Sequence, residues 1–255
     1  MRKSVYEQII NNKNQGKKSV AILIDPDHHK LANLEATLTI ANRQHVDYFF
    51  VGGSLIIQDR MDECLRLIRE RSSIPAVLFP GNCFQISEYA DALLFLSLIS
   101  GRNPEYLIGK HVEAAPKLHM TSLEIIPTGY MIIDGQNSNT AAYISQTLPI
   151  PSDKVEIAVA TSLAAELLGF KLLYLDAGIG AQKAVNPEMI GSVSALIKIP
   201  IITGGGIKSG SQAISLFKAG ADVLVIGNAI EKDPSLIVEI AGVAREYNFA
   251  NQRDA

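Results

Sequence analysis

Three groups of residues in this chain have the types and spacing to do chemistry. After the run IPII the chain reads Thr203-Gly204-Gly205-Gly206-Ile207-Lys208-Ser209, and after ADVLVI it reads Gly227-Asn228. Glycine lets main-chain N–H groups approach an oxyanion closely, and a helix opening at Ser209 adds the positive end of its dipole. Three successive glycines carry an entropic cost that a simple turn does not require, so the two loops read as a phosphate cradle. Lys208 stands beside it, either to assist the phosphate or as a solvated surface lysine.

The second group is Asp25, in Ile24-Asp25-Pro26-Asp27, with Ser54, in Val51-Gly52-Gly53-Ser54. A carboxylate and a hydroxyl are hard oxygen donors, and with diphosphate oxygens and water they would complete a Mg2+ shell; the alternative is a helix cap. The third is Tyr174-Leu175-Asp176-Ala177-Gly178-Ile179-Gly180. Strand alternation puts Tyr174 and Asp176 on one face, which suits a pocket for a small polyol. Asp176 is placed to take a hydroxyl proton as general base, or else to fix the rim as a buried carboxylate. His28 and His29 raise zinc, but adjacent side chains point apart and no third ligand has suitable spacing. His45, His111 and His119 read as surface or core residues, and Lys30 is given no role.

Something must hold these groups at one rim. Eight short runs rich in Val, Ile and Leu, beginning near Val20, Val46, Ala76, Ala92, Leu123, Lys171, Ile199 and Ala221, alternate with amphipathic stretches. That is the pattern of parallel strands buried on both faces with crossover helices outside, and nearly every run ends in Asp, Gly, Ser or Pro. The expected fold is α/β, a modified (β/α)8 TIM barrel in one domain spanning residues 1–255. Ser152, Asn186, Ser209 and Asp233 precede four late helices as caps, and Gly169 and Gly220 stop two of them. Gly81 to Ala90 is too short for a full barrel helix, which predicts an atypical crossover between strands 3 and 4 and an opening in the helical ring. Asp134 to Pro151, polar and proline-punctuated, reads as a loop.

The composition fits this reading. At 255 residues, 47% apolar and with a formal charge of −3, the chain has no global attraction for nucleic acid, so an anionic ligand must be held by local groups. Cys64 and Cys83 lie in no metal-type spacing, the opening MRKSVYEQII lacks a signal peptide's apolar run, and no stretch reaches the length of a membrane span. A reducing, cytoplasmic setting is expected.

Taken together, LIDPD, FVGGS, LFPGN, ALLFLSLISGRNPEYLIG, IIPTGY, YLDAGIGA, ITGGGIKSG and VIGNAIEKDP resemble the geranylgeranylglyceryl phosphate synthase family, whose bacterial relatives include heptaprenylglyceryl phosphate synthases. The resemblance runs from the first strand to the last helix. It implies transfer of a polyprenyl group, geranylgeranyl foremost, from its diphosphate to the 3-hydroxyl of sn-glycerol 1-phosphate, with release of diphosphate. It implies Mg2+ at Asp25 and Ser54, and glycerol phosphate on Tyr174 to Gly180, Gly205, Gly206, Gly227 and Asn228, with Asp176 and Tyr174 catalytic. Tyr130 is expected in the same pocket, with Phe79, Leu94, Phe95 and Leu96 along an apolar groove for the hydrocarbon. The resemblance also implies a homo-oligomer, with a hexamer favoured over a dimer.

The chain departs from the family pattern at Asp176, where many members have Glu, and at Ile179, where many have Ser. A shorter reach for the base and one phosphate donor fewer are the consequences. Two other readings share the loops: a different phosphate-binding barrel, such as a sugar-phosphate isomerase or an amino-acid biosynthesis synthase, and a non-catalytic phospholigand-binding barrel. LFPGN and YLDAG weigh against the first, and turnover separates the second.

Overall fold

The computed structural model describes residues 4–27, 31–55, 60–137 and 139–253. In chain order the elements are α1 (Val5–Asn14), β1 (Ser19–Ile24), α2 (Leu31–Gln44), β2 (Tyr48–Val51), α3 (Met61–Arg71), β3 (Ala76–Leu78), β4 (Ala92–Leu98), a π-helix (Glu105–Gly109) and α4 (Lys110–His119). There follow β5 (Glu124–Ile132), α5 (Thr140–Ser145), α6 (Val155–Leu167), β6 (Leu172–Asp176), α7 (Pro187–Ser194), β7 (Ile201–Gly204), α8 (Gly210–Ala219), β8 (Val223–Ile226), α9 (Asn228–Lys232) and α10 (Ser235–Arg253).

The strands are parallel and close into a barrel in sequence order, β8 pairing back to β1 with Ser19 opposite Val223 and Ile22 opposite Ile226. Each strand is buried on both faces, which is why the runs are continuously apolar rather than alternating. Successive side chains divide between two cores. Inward residues such as Ala21, Tyr48, Phe50, Val77, Leu94, Ile126, Leu172, Ile202 and Val225 fill the barrel. Outward residues such as Ile22, Phe49, Leu78, Leu93, Leu173 and Leu224 pack against the helices. Each large apolar side chain so buried stabilises the fold by about 1.5–3 kcal/mol.

The bottom is closed by α1. Val5 and Ile9 enter the barrel core, and the Glu124 carboxylate at the start of β5 accepts from Ser4 Oγ (2.5 Å), Val5 N (2.6 Å) and Tyr6 N (3.1 Å). A carboxylate on the first turn's amides satisfies donors that the helix itself cannot.

The top is set by register. Ile132 pairs with Asp176, Asp176 with Gly204, and Gly204 with Val225, so the ends of β5 to β8 stand level. Asn186 and Ser209 cap α7 and α8 as expected, accepting from Glu188 N and Gln212 N, and Gly220 ends α8 at φ 113°. Two expectations are corrected. α6 begins at Val155 behind Lys154, which makes no side-chain cap, rather than at Ser152. The 134–151 segment holds α5, capped by Asn139, where a plain loop is expected. Between β3 and β4, residues 79–91 form no helix, and this is the gap in the ring that the short crossover predicts. His28, His29 and Lys30 lie outside the described residues.

Candidate active site

Three cavities run in series across the mouth. The first, about 410 Å³, is lined by Tyr174, Asp176, Gly178, Gly205, Gly206, Gly227 and Asn228 among others. Its floor is shaped by backbone that only glycine tolerates. Gly205 (φ 80°) and Gly206 (φ 70°) are left-handed in succession, and a Cβ on Gly205 would come within 2.6 Å of Gly178 N, one on Gly206 within 2.5 Å of the Lys183 carbonyl carbon. The β7 loop is thereby laid directly on the β6 loop. Lys208 also lines this cavity, and its Nζ donates to the Gln182 carbonyl at 3.1 Å.

Asp176 sits where this cavity meets a narrow second one, whose walls include Ser54, Phe79, Tyr130, Asn139, Gly178 and Ile179. Its Oδ2 accepts from Tyr130 Oη at 2.6 Å and its Oδ1 from Gly178 N at 2.8 Å. A carboxylate has about four acceptor sites, so both oxygens retain lone pairs for a ligand hydroxyl. Burial raises its pKa above the ordinary carboxylate value, while the Tyr130 and Gly178 hydrogen bonds pull it back. Burial and the Asp176 charge together hold the Tyr130 phenol well above its usual range, so it stays a donor. The rings of Phe79, Tyr130 and Tyr174 form a cluster against this carboxylate, Phe79 stacked on Tyr174 at 5.2 Å and Tyr130 edge-on to both, at 5.7 and 5.5 Å.

The third cavity, about 120 Å³, leads away through the gap beside β3 and β4 and is mostly apolar. Phe79, Phe95 and Leu96 line it as expected, joined by Ile86, Leu93, Leu98, Tyr106, Ala114 and Leu118. Leu94 does not: it shares the inward face of β4 with Leu96 and Leu98 but lies nearer the start of the strand, fully buried in the barrel core. His111, expected at the surface or in the core, is a buried part of this wall, with Nε2 3.0 Å from Ser97 Oγ and its ring edge-on to Phe95. His45 and His119 are exposed.

Within Tyr174 to Gly180, the side chains of Leu175 and Ala177 face away from the cavity. Both are fully buried in the outer core, turned from the cavity by the alternation that aims Tyr174 and Asp176 at it, and Ala177 N donates to the Gly204 carbonyl. Ile179, 38% exposed, lines both polar cavities.

On the β1–β2 side Asp25 stands against Gly53, the residue before Ser54. Ser54 lines the second and third cavities, and Asp25 is half-buried, its Oδ1 accepting from Asp27 N at 3.0 Å. The intervening Gly53 keeps the space open, since a Cβ there would lie 3.2 Å from Asp25 Oδ2. No group of three or more His, Cys, Asp or Glu gathers as a metal cluster among the described residues. One carboxylate and one hydroxyl fit Mg2+, which keeps waters and takes much of its shell from substrate phosphates.

Asn137 and Asn139 are the residues that motif reading missed. They come from the segment read as a loop, and the one available signal was Asn139 ahead of Thr140-Ala141-Ala142, a helix-capping type before helix-forming residues.

A closed (β/α)8 barrel with a glycine-walled polar cavity, a buried carboxylate and an apolar channel has the makings of an enzyme of the phosphate-binding barrel class. The PcrB family model matches residues 12–244. A geranylgeranylglyceryl phosphate synthase of Chitinophaga pinensis is 49% identical over 241 residues, covering 94% of this chain and 96% of the relative. The synthase of the same name from Pyrococcus horikoshii is 39% identical over 237 residues, covering 92% of each. Among solved structures, (S)-3-O-geranylgeranylglyceryl phosphate synthase from Thermoplasma acidophilum, in complex with its substrate sn-glycerol-1-phosphate, superposes with a TM-score of 0.90 at 30% identity, covering 97% of this chain and 99% of that one. The chain belongs to the PcrB family, in agreement with the resemblance carried by its motifs.

Proposed function

We propose that this protein joins a polyprenyl diphosphate, geranylgeranyl diphosphate foremost, to the 3-hydroxyl of sn-glycerol 1-phosphate, giving an ether-lipid precursor and diphosphate. The observation that carries this reading is the position of Asp176, at the junction between a glycine-walled anion cavity and a passage into an apolar channel. A phosphate seated on the main chain of Gly205, Gly206, Gly227 and Asn228 leaves the glycerol hydroxyls directed at Asp176. The prenyl chain lies in the channel, with its diphosphate on the Asp25 and Ser54 side.

The glycerol oxygen forms a bond to the first prenyl carbon as the carbon–oxygen bond to diphosphate breaks, the electron pair leaving with diphosphate. Asp176 receives the hydroxyl proton, and its burial-raised pKa makes it a stronger base than an exposed aspartate. Phe79, Tyr130 and Tyr174 face the allylic carbon with electron-rich rings as it gains positive charge. Asp25 and Ser54 would hold Mg2+, which when bound would supply positive charge against the departing diphosphate.

The reading includes one domain, a cytoplasmic setting in keeping with the free thiols of Cys64 and Cys83, and a homo-oligomer, hexamer rather than dimer. Among the described residues no helix is long and apolar enough to cross a membrane. The exposed apolar residues Ile157, Leu163, Leu167 and Leu168 on and beside α6 supply a face for self-association, and light scattering measures its stoichiometry.

Activity is tested by following diphosphate release with sn-glycerol 1-phosphate, Mg2+ and prenyl diphosphates of several lengths. Release that requires both substrates supports the reading; none with any chain length refutes it.

A further inference from the structure

Two asparagines from the segment before α5 roof the loop that carries Asp176. Asn137 Nδ2 donates to the Ile179 carbonyl at 3.1 Å, and Asn139 packs its amide against Gly178, where a Cβ would collide with Nδ2. The orientation of the Asn139 amide is fixed. Its Oδ1 accepts from Ala142 N at 3.2 Å as the cap of α5, so the NH2 end is the one against Gly178. That Nδ2 is buried and has no hydrogen-bond partner, and neither has Asn137 Oδ1.

Buried donors without partners are rare in native folds, and one beside a ligand cavity is explained when the ligand supplies the acceptor. Asn139 lines the narrow cavity together with Ser54 and with Asp176, Gly178 and Ile179, which this cavity shares with the glycine-walled one. On the reading proposed above, the phosphate of the small substrate lies on the Gly205 side and its 3-hydroxyl at Asp176. The carbon between them carries a second hydroxyl, which needs a partner of its own. The geometry points to Asn139 as the residue that recognises the 2-hydroxyl of the glycerol phosphate, its Nδ2 donating to that oxygen.

This makes Asn139 a determinant of specificity for a phosphorylated triol over a phosphorylated diol. A site built to bond a hydroxyl discriminates against the analogue that lacks it, because its own polar group is then left unpaired.

The test is a comparison of two acceptors in two proteins. sn-Glycerol 1-phosphate and 1,3-propanediol monophosphate share the phosphate and the reacting hydroxyl and differ in the 2-hydroxyl alone. Asn139→Ser keeps a capping oxygen for α5 but removes the amide donor. Wild-type protein is expected to prefer the glycerol substrate by about tenfold in kcat/KM, the worth of one hydrogen bond, and Asn139→Ser to lower that preference to near unity. The KM for prenyl diphosphate is expected to stay unchanged. Damage to α5 alone would slow both acceptors equally and leave the preference intact, and that result overturns the assignment, as does a wild-type protein with no preference. Absence of prenyl ether from either acceptor in the wild type would instead refute the proposed function.

Discussion

On the β6–β8 side of the mouth the wall is largely main chain, with Gly178, Gly180, Gly205 and Gly206 all at positive φ and the two loops laid against each other. On the β3–β5 side it is side chain: Ile86, Leu93, Phe95, Leu96, Ala114 and Leu118 surround a channel that exists because residues 79–91 form no helix. The first surface offers fixed dipoles to a compact anion, and the second offers apolar area to a chain. Backbone geometry cannot be tuned residue by residue, whereas a side-chain wall can. The anion half should therefore be brittle to substitution and the channel half adjustable.

The sharpest blow falls where the halves meet. Asp176→Asn, which can still accept from Gly178 N, is expected to lower kcat by about 10²–10⁴-fold with the fold retained, read by product formation alongside circular dichroism. In the wild type the acid limb of the pH–rate profile should lie above the ordinary carboxylate range, because burial raises the Asp176 pKa and the base must be ionised to act. Asp25→Asn is expected to remove about 10²-fold of Mg2+-dependent activity and to weaken Mg2+ binding measured calorimetrically in the presence of inorganic diphosphate.

Gly205→Ala tests brittleness. Its Cβ meets Gly178 N in a left-handed backbone, so stability should fall by about 1–3 kcal/mol and the KM for glycerol phosphate rise about tenfold, with the prenyl KM little changed. Ala114→Phe tests adjustability. Filling the channel should shift preference to shorter prenyl diphosphates by several-fold while the glycerol phosphate KM stays put. Equal effects of either substitution on both substrates would dissolve the contrast between the halves.

The smallest effect on activity is expected at the opposite end of the barrel. Asp47, whose carboxylate accepts from Val20 N at 2.8 Å, is pushed up to about 6 by burial. Between about pH 4 and 6 the folded protein keeps a proton that the unfolded chain has lost, so stability present below pH 4 is lost as pH rises through 6. Asp47→Asn should remove that slope and stabilise the protein at pH 7 by on the order of 2 kcal/mol, with kcat unchanged, as thermal denaturation across pH will reveal.

The same contrast accounts for what could be read from the chain alone. Glycine runs after strands announce a main-chain site, so the placement of Gly205, Gly206, Gly227 and Asn228 around one cavity was legible, as was the alternation that aims Tyr174 and Asp176 inward. The channel was harder. A missing helix is visible as a short crossover, but how far along β4 the opening reaches is not, and Leu94, nearer the start of the strand than Leu96, falls inside the barrel core. His111 and Leu118 reach the channel from α4, through a π-helical turn that no local pattern marks. The helix α5 has too few residues for a periodic signal, and with it the roof formed by Asn137 and Asn139 stayed hidden. Leu175 and Ala177 belong to the site's sequence motif without facing its cavity, a distinction that only the pleat makes.

The most direct measurement is a crystal structure with sn-glycerol 1-phosphate and an unreactive thio-analogue of the prenyl diphosphate bound together. The phosphate is predicted on the amides of Gly205, Gly206, Gly227 and Asn228, the 3-hydroxyl within hydrogen-bond reach of Asp176, and the hydrocarbon between Leu93 and Leu118. A glycerol hydroxyl turned away from Asp176, or a prenyl chain lying outside the β3–β4 opening, would contradict the account.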